Sequence, residues 1–166
     1  MTRLAALPAL GLALALGGPA LAETWRTYAN ERFGATVDYP DRFSVLADPP
    51  ANGDGQRFFT VDRRASLAVY GFFNTERETA KQIMESRKTG DTRYTLASAR
   101  GSTFTMSGLR GERITYLRCM RSPVTHEIYV CADLEYPAAD RAAFDPIVAR
   151  IAKSLRAGKS WYAALR

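Results

Sequence analysis

Residues 28–43 read YANERFGATVDYPDRF, and a pattern with a period of two runs through the middle of this stretch. Its apolar or small members are Phe33, Ala35, Val37 and Tyr39. Because successive side chains of a strand point to opposite faces of a sheet, the pattern predicts a strand over 33–39 with one face toward a core. Pro40 ends this strand, since proline has no N–H to donate to a neighbouring strand.

Two further strands are predicted after this one. Residues 48–55, DPPANGDG, contain turn-forming residues and no apolar anchor, which is typical of a loop. Strands are expected at 56–62 and 66–73, joined by a tight connection at Arg63 and Arg64. The second of them, SLAVYGFF, is apolar on both faces, as in a central strand that is covered on both sides.

A short amphipathic helix is predicted next. Thr75 and Glu78 have the spacing of a capping box, in which the two residues satisfy backbone N–H groups of the first turn. Gly90 is well placed to end the helix. Its predicted buried face consists of Ala80, Ile83 and Met84, with the aliphatic part of Arg87.

The second half of the chain is predicted to contain more strands and a closing helix. The strands are expected at 94–100, 102–107, 112–120 and 126–136. The closing helix is expected at 139–156, where Pro146 requires either that Asp145 lie near the helix start or that the helix kink. This order favours an α+β domain, an antiparallel sheet flanked by helices in an α/β/α sandwich, over residues 23–158. Residues 159–166 are predicted to form a tail.

Residues 28–43 also resemble the opening of PsbP/Mog1-like domains. In that family a line Y-x-N-x-x-[YF]-G-[aromatic]-[ST]-[apolar]-x-Y-P enters a sheet that is flanked by helices. This chain follows the line from Tyr28 to Pro40, with Ala35 where the family commonly has an aromatic residue. The resemblance implies the same α+β fold and a role in binding or assembly, and it assigns no catalytic residue.

The first 22 residues predict export. Arg3 precedes an apolar run over 4–16, helix-breaking residues occupy 17–19, and Ala20-Leu21-Ala22 fits a signal peptidase site. An uncleaved membrane anchor is the alternative, because about 20 apolar residues can span a bilayer. Cleavage would leave Glu23 at the N-terminus and no transmembrane segment after it. The expected location is periplasmic or secreted.

The chain has two cysteines, Cys119 and Cys131, on neighbouring predicted strands. In an oxidising compartment such a pair is expected to form a disulfide. A turn centred on Ser122 and Pro123 would instead place Cys119 opposite His126, so the bridge requires a wider loop or a bulge. A catalytic redox pair is the alternative, although no CxxC motif at a helix start supports it.

Basic residues are concentrated between Arg87 and Arg121. This segment contains eight basic residues and only two acidic residues. One interpretation is a surface for an anionic partner, either a protein or an anionic component of the cell envelope. The other is a solvated sheet face whose charges alternate with buried residues. A nucleic acid partner is not expected, since export separates the chain from it and no recognised nucleic-acid-binding motif is present.

A ligand groove is a further possibility near the loop at 48–55, where Arg57, Arg63 and Arg64 lie close in sequence to Tyr70, Phe72 and Phe73. The alternative is that these aromatic residues pack beneath the two helices. In the tail, Trp161 and Tyr162 either dock on the domain or contact a partner. The residues predicted for a ligand or partner surface are Arg57, Tyr70, Arg110, Arg113, Arg118, Arg121 and Trp161.

No motif predicts catalysis, a cofactor or a metal. His126 is the only histidine, and no GxSxG motif occurs. The turn at 52–55 resembles a calcium loop, but the residues at the loop's end positions cannot supply its carboxylates. Asp133 and Glu135 share a strand face and have the spacing of a glycosidase pair, or they pair with Arg118 and Arg121 across strands.

The sequence therefore predicts an exported, non-catalytic binding or assembly protein, with an envelope hydrolase as the alternative.

Overall fold

The computed structural model describes residues 23–160. The predicted signal peptide and Trp161, with the rest of the tail beyond it, lie outside the described residues. Between residues 23 and 160, no helix is both long enough and apolar enough to cross a membrane.

The described residues form ten strands and two helices. The strands are β1 (Trp25–Asn30), β2 (Ala35–Pro40), β3 (Val45–Leu46), β4 (Gly55–Phe59), β5 (Ser66–Phe73), β6 (Thr92–Arg100), β7 (Thr103–Arg110), β8 (Arg113–Arg121), β9 (Ile128–Pro137) and β10 (Arg156–Ala157). The helices are α1 (Ala80–Ser86) and α2 (Arg141–Ser154), and a 3-10 turn at Ala138–Asp140 leads into α2.

These strands form two antiparallel sheets. The large sheet has the order β3-β4-β5-β9-β8-β7-β6, and the small sheet has the order β1-β2-β10. The predicted α+β class with an antiparallel sheet and flanking helices is confirmed. In β2 the alternation is also confirmed, because Ala35 and Val37 are fully buried while Thr36 and Asp38 are partly exposed.

The main core lies between one face of the large sheet and the layer that contains α2 and the small sheet. From α2, Phe144, Ile147 and Ile151 are buried, and Phe144 stacks on Tyr136 of β9 with ring centroids 4.6 Å apart. The other members of this core include Phe33, Val37, Phe58, Leu67, Val69, Val130 and Leu134. We call the opposite face of the large sheet the outer face.

Pro146 lies inside α2, which begins five residues earlier at Arg141. Asp145 is therefore not near the start of the helix, contrary to one of the predicted alternatives. Since proline has no N–H, the carbonyl of Ala142 receives no helical hydrogen bond from position 146. Pro146 is exposed, so water can satisfy that carbonyl.

The predicted start of α1 is wrong by one turn. Thr79 is the N-cap: its hydroxyl accepts a hydrogen bond from the N–H of Gln82, whose side chain accepts one from the N–H of Thr79 at 2.9 Å. Thr75 and Glu78 do not form the cap, because the Asn74 side chain bonds both the N–H and the carbonyl of Glu78 and holds a turn there. The helix ends with a C-cap at Arg87 instead of Gly90.

Cys119 and Cys131 form a disulfide, as predicted. They are directly paired across β8 and β9, and their Cα atoms are 4.1 Å apart. The connection between these strands is wider than a turn centred on Ser122 and Pro123, because it runs from Ser122 to Glu127. The Ser122 hydroxyl stabilises this loop by accepting hydrogen bonds from the N–H groups of Val124 and Thr125.

Candidate functional site

The outer face of the large sheet is only partly covered, because α1 is seven residues long. Ala80, Ile83 and Met84 of α1 are buried against this face. The sheet residues in this second cluster include Phe72, Phe104, Met106, Cys119, Tyr129 and Cys131. Beyond the end of α1, the outer face carries polar and charged side chains around an open space.

We call this space the polar cleft and define it by Arg57, Ser66, Arg87, Arg110, Asp133 and Glu135. It has a volume of about 300 Å³. Thr92, Thr115, Tyr94, Met106 and Leu117 also line it.

Strand register brings these residues together from distant parts of the sequence. One row across the sheet runs from Arg57 through Ala68 and Asp133 to Leu117, and the next contains Ser66, Glu135 and Thr115. All of them lie on one face, since residues directly opposite each other in a sheet share a face. The small side chain of Ala68 between Arg57 and Asp133 leaves room above the sheet at that point.

Glu135 is the anchor of a charged group at one end of the cleft. Its two carboxylate oxygens accept hydrogen bonds from Arg110 and Arg113, one arginine on each oxygen. Arg113 also donates to the backbone carbonyl of Arg64 at 2.8 Å. Both oxygens of Glu135 are therefore occupied, and the guanidinium groups are held in fixed positions.

Asp133 has different surroundings. It forms no hydrogen bond or ion pair with another residue in the described range, although arginines lie around it. Burial raises the pKa of its carboxyl, and this effect is opposed by Arg57 and reinforced by the neighbouring Glu135. The side chain of Asp133 is half-buried, so its carboxyl loses part of its hydration and gains no hydrogen bond from the protein in return.

Two arginines of the cleft have no ion-pair partner among residues 23–160. The guanidinium of Arg57 lies 3.5 Å from the Ser66 hydroxyl, and that of Arg87 donates to the Tyr70 hydroxyl at 3.0 Å. Arg87 also lies over the Phe72 ring, 4.5 Å from its centroid, which fixes its position. The pKa of Tyr70 is raised by burial, so its hydroxyl remains neutral beside Arg87. The cleft therefore carries more positive than negative charge.

Four of the predicted surface residues lie at or beside the polar cleft: Arg57, Tyr70, Arg110 and Arg113. Arg118 and Arg121 do not. Arg118 pairs with Ala132 and points to the other face of the sheet, where it donates to Thr105 at 3.1 Å. Arg121 is on the outer face but at the opposite end of β8. The alternative pairing of Asp133 and Glu135 with Arg118 and Arg121 is therefore wrong.

The loop at 48–55 contacts the end of β1 and the turn that follows it. Arg32 forms an ion pair with Asp54 at 2.8 Å, and the Asn30 side chain donates to the carbonyl of Gly53 at 2.9 Å. Phe72 stacks on Tyr129 beside the α1 cluster, as the packing alternative expects. Phe73 instead makes an edge contact with Phe33 on the other side of β5.

His126 is exposed in the loop between β8 and β9, at the end of these strands away from the polar cleft. Between residues 23 and 160, no group of three or more histidine, cysteine or acidic residues is placed to hold a metal ion.

Sequence reasoning missed the roles of Arg87 and Asp133 in the cleft. Arg87 was expected to pack through its aliphatic part, and Asp133 to pair across strands. The alternation of Asp133 and Glu135 with buried residues in β9 was the available signal, since it places both on one face.

Comparison with solved structures shows the fold. The chain is similar to cyanobacterial PsbP from Synechocystis sp. PCC 6803, with a TM-score of 0.61 and 19% identity over 89% of this chain and 100% of that one. It is also similar to the Ran-binding protein Mog1p of Saccharomyces cerevisiae, with a TM-score of 0.55 and 11% identity over 82% of this chain and 96% of that one. A point variant of protein Mog1 gives a TM-score of 0.57 and 10% identity over 84% and 99%.

No protein-family model matches the sequence, and no curated protein matches it. The structural similarities are nevertheless sufficient to assign the PsbP/Mog1-like fold that the opening stretch predicts.

Proposed function

We propose that this chain is an exported, non-catalytic binding or accessory protein that holds an anionic group of its partner in the polar cleft. The observation that carries the proposal is the presence of Arg57 and Arg87 in the cleft without ion-pair partners among the described residues. Guanidinium groups bind carboxylates and phosphates through paired hydrogen bonds. The remaining arginines of the cleft, Arg110 and Arg113, share a single carboxylate, that of Glu135.

The geometry around Glu135 supports binding over hydrolysis. A carboxylate pair that hydrolyses glycosides needs both members available, one as the general acid and the other as the base or nucleophile. Both oxygens of Glu135 already accept hydrogen bonds from arginines. His126, the residue a serine hydrolase would need as its base, lies at the other end of the strands.

Two observations support export and a protein partner. The disulfide between Cys119 and Cys131 suits an oxidising compartment, as does the signal sequence predicted at 1–22. One of the similar structures is that of a Ran-binding protein, so a protein with this fold binds another protein.

Anion binding is tested by titrating the protein with acetate, inorganic phosphate and D-glucuronate while recording proton–nitrogen correlation spectra. We expect saturable shifts of the β4, β7 and β9 amides that line the cleft, and their loss in Arg57→Gln. Arg100→Gln is the matched control, because this substitution removes the same charge at an exposed position at the end of β6. Equal shifts in the two variants, or shifts spread evenly over the surface, would contradict the proposal.

Export is tested by expressing the full chain in a bacterium with two membranes. We expect a periplasmic product whose mass corresponds to a chain that begins at Glu23. A product that keeps residues 1–22 and stays with the membrane would instead support the anchor.

The accessory role is tested by capturing partners from the cell envelope with the full chain and with a chain that lacks 159–166. Association that needs these residues would place the tail, which includes Trp161, at the interface. Association that survives their removal but not Arg57→Gln would place the interface at the cleft. Association that survives both changes would count against both sites.

A further inference from the structure

We propose that the polar cleft binds a polyhydroxylated organic anion of monosaccharide size, the class that includes sugar acids and sugar phosphates. This inference rests on the proposed function, because it takes anion binding by the cleft as its starting point.

The size of the cleft limits the ligand. A volume of about 300 Å³ lies at the lower end of the range for small-molecule sites, which is about 300–1,000 Å³. It corresponds to about ten water molecules in the liquid. One sugar ring with its substituents fills such a space, whereas a chain of several sugars or a folded peptide does not fit within it.

The arginines define where the anionic group lies. Arg57 extends from β4 on one side of Asp133, and Arg87 follows the end of α1. Because Arg87 is held by the Tyr70 hydroxyl and by the Phe72 ring, its guanidinium is already ordered before a ligand binds. Ordering a side chain in advance removes part of the entropy cost of binding.

Asp133 defines what else the ligand must carry. Its carboxyl is half-buried in the cleft and accepts no hydrogen bond from the described residues, so it can accept one from a ligand. A simple anion cannot satisfy Asp133, because it brings a second negative charge and no donor. A ligand hydroxyl can donate to this carboxyl while the anionic group of the same ligand binds the arginines.

The donor is a hydroxyl in preference to an ammonium group. Arg57, Arg110 and Arg87 all act on Asp133 through their positive charges. These charges would repel an ammonium placed among them, whereas a neutral hydroxyl is not repelled. An amino acid is therefore a poorer ligand for this site than a hydroxy acid of the same size.

The wall of the cleft suits the apolar face of a sugar ring. Tyr94, Met106 and Leu117 line the cleft beside the charged residues, and the Tyr94 hydroxyl is held by the N–H of Thr89 at 3.1 Å. A sugar presents C–H groups on its faces and hydroxyls at its edge. The hydroxyls of Thr92 and Thr115 also line the cleft and can pair with such an edge.

The inference is tested by calorimetric titration of the full chain at pH 7 with D-glucuronate, D-galacturonate, D-gluconate and D-glucose 6-phosphate. Three controls separate the requirements: D-glucose lacks the anionic group, cyclohexanecarboxylate lacks the hydroxyls, and L-glutamate carries an ammonium. We expect at least one of the four ligands to bind about tenfold or more tightly than every control, as one additional charged hydrogen bond provides. The sugar phosphate distinguishes a phosphate from a carboxylate as the preferred anionic group.

Two variants assign the roles within the cleft. Asp133→Ala removes the hydrogen-bond acceptor, so it should weaken binding of the hydroxylated anion about tenfold relative to binding of cyclohexanecarboxylate, which makes no hydrogen bond to Asp133. Arg57→Gln should weaken both ligands, and Arg100→Gln neither. Thermal unfolding of each variant confirms that it is folded before it is titrated.

The outcomes separate this inference from the proposed function. If cyclohexanecarboxylate or L-glutamate binds as tightly as all four hydroxylated anions, the inference is overturned while anion binding by the cleft stands. If the four ligands bind no better than D-glucose and Arg57→Gln changes nothing, the proposed function is overturned as well.

Discussion

The contribution of the disulfide between Cys119 and Cys131 to the free energy of unfolding can be predicted from the structure. The two residues are separated by 12 positions, so the bridge closes a short loop that the unfolded chain would otherwise leave free. In the chain-entropy description, closing a loop of this size stabilises the folded state by about 3 kcal/mol at 25 °C. For a domain of this size that corresponds to about 6–12 °C in the midpoint of thermal unfolding.

The measurement is urea unfolding of the oxidised protein and of the same protein after reduction, which changes no atoms except the bond and two hydrogens. We expect the reduced protein to lose about 3 kcal/mol of unfolding free energy, with a larger denaturant slope because its unfolded state is more expanded. A Cys119→Ala, Cys131→Ala double variant, unfolded with and without the reductant, is the control for effects of the reductant on other groups.

If reduction is complete by mass and the free energy of unfolding falls by less than about 1 kcal/mol, closure of this loop does not stabilise the protein as expected for a native disulfide. Because both cysteines are fully buried beneath α1, reduction must be carried out in denaturant and followed by refolding. Free thiols that react with an alkylating agent when the protein is unfolded without reductant would show that the bridge does not form at all.

Three further changes test other parts of the structure. Gly71→Ala should destabilise the protein by about 1–3 kcal/mol, because a Cβ there would lie 2.3 Å from the Phe33 side chain. Thr79→Ala should cost about 1 kcal/mol of unfolding free energy through loss of the α1 cap. The free energy of unfolding of Asp133→Asn, measured with urea at each pH, should increase relative to that of the natural protein as the pH rises from about 4 to 7. The pKa of Asp133 is raised in the folded state, so the folded protein favours the protonated carboxyl and loses stability as that proton leaves.

Each of these changes has a matched control or a contradicting result. Gly90→Ala should be neutral within about 0.5 kcal/mol, since no atom lies within 4 Å of the added Cβ. Thr75→Ala should also be neutral. A larger loss of unfolding free energy in Thr75→Ala than in Thr79→Ala would indicate that Thr75 is the N-cap, as the sequence predicts. A difference between Asp133→Asn and the natural protein that does not vary with pH would show that Asp133 has an ordinary pKa.

The sequence predicts correctly those helices and strands whose hydrophobic pattern lies within a single element. The alternation in β2 and the apolar face of α2 depend on neighbouring residues, and the structure confirms both. The strand β1 has no such pattern, because Trp25–Asn30 is an edge strand with mostly exposed or half-exposed side chains. The strand β10 is two residues long and exists through its pairing with β2.

The α1 cap shows why a correct motif can be placed at the wrong residue. Thr75 with Glu78 and Thr79 with Gln82 both have the spacing of a capping box. The choice between them depends on the Asn74 side chain, which organises the preceding turn through Glu78. The sequence pattern contains both solutions, and the tertiary structure selects one.

The polar cleft could be predicted only in part. The alternation in β9 places Asp133 and Glu135 on one face, but their partners depend on the register with β5 and β8. The wide loop over 122–127 sets the β8 register, and it turns Arg118 away from the cleft. A turn centred on Ser122 and Pro123 gives a different register and therefore different partners.

The position of β10 has a consequence for how the chain reaches its folded state. Arg156 and Ala157 pair with Thr36 and Ala35, and the N–H of Gly158 donates to the carbonyl of Gly34 at 2.8 Å. The small sheet therefore joins the two ends of the described chain, and it cannot be completed until Arg156 and Ala157 are available to pair with β2. Contacts between such distant residues form late, because the intervening chain must first be closed into a loop. The small sheet is therefore expected to be among the last parts of the fold to form.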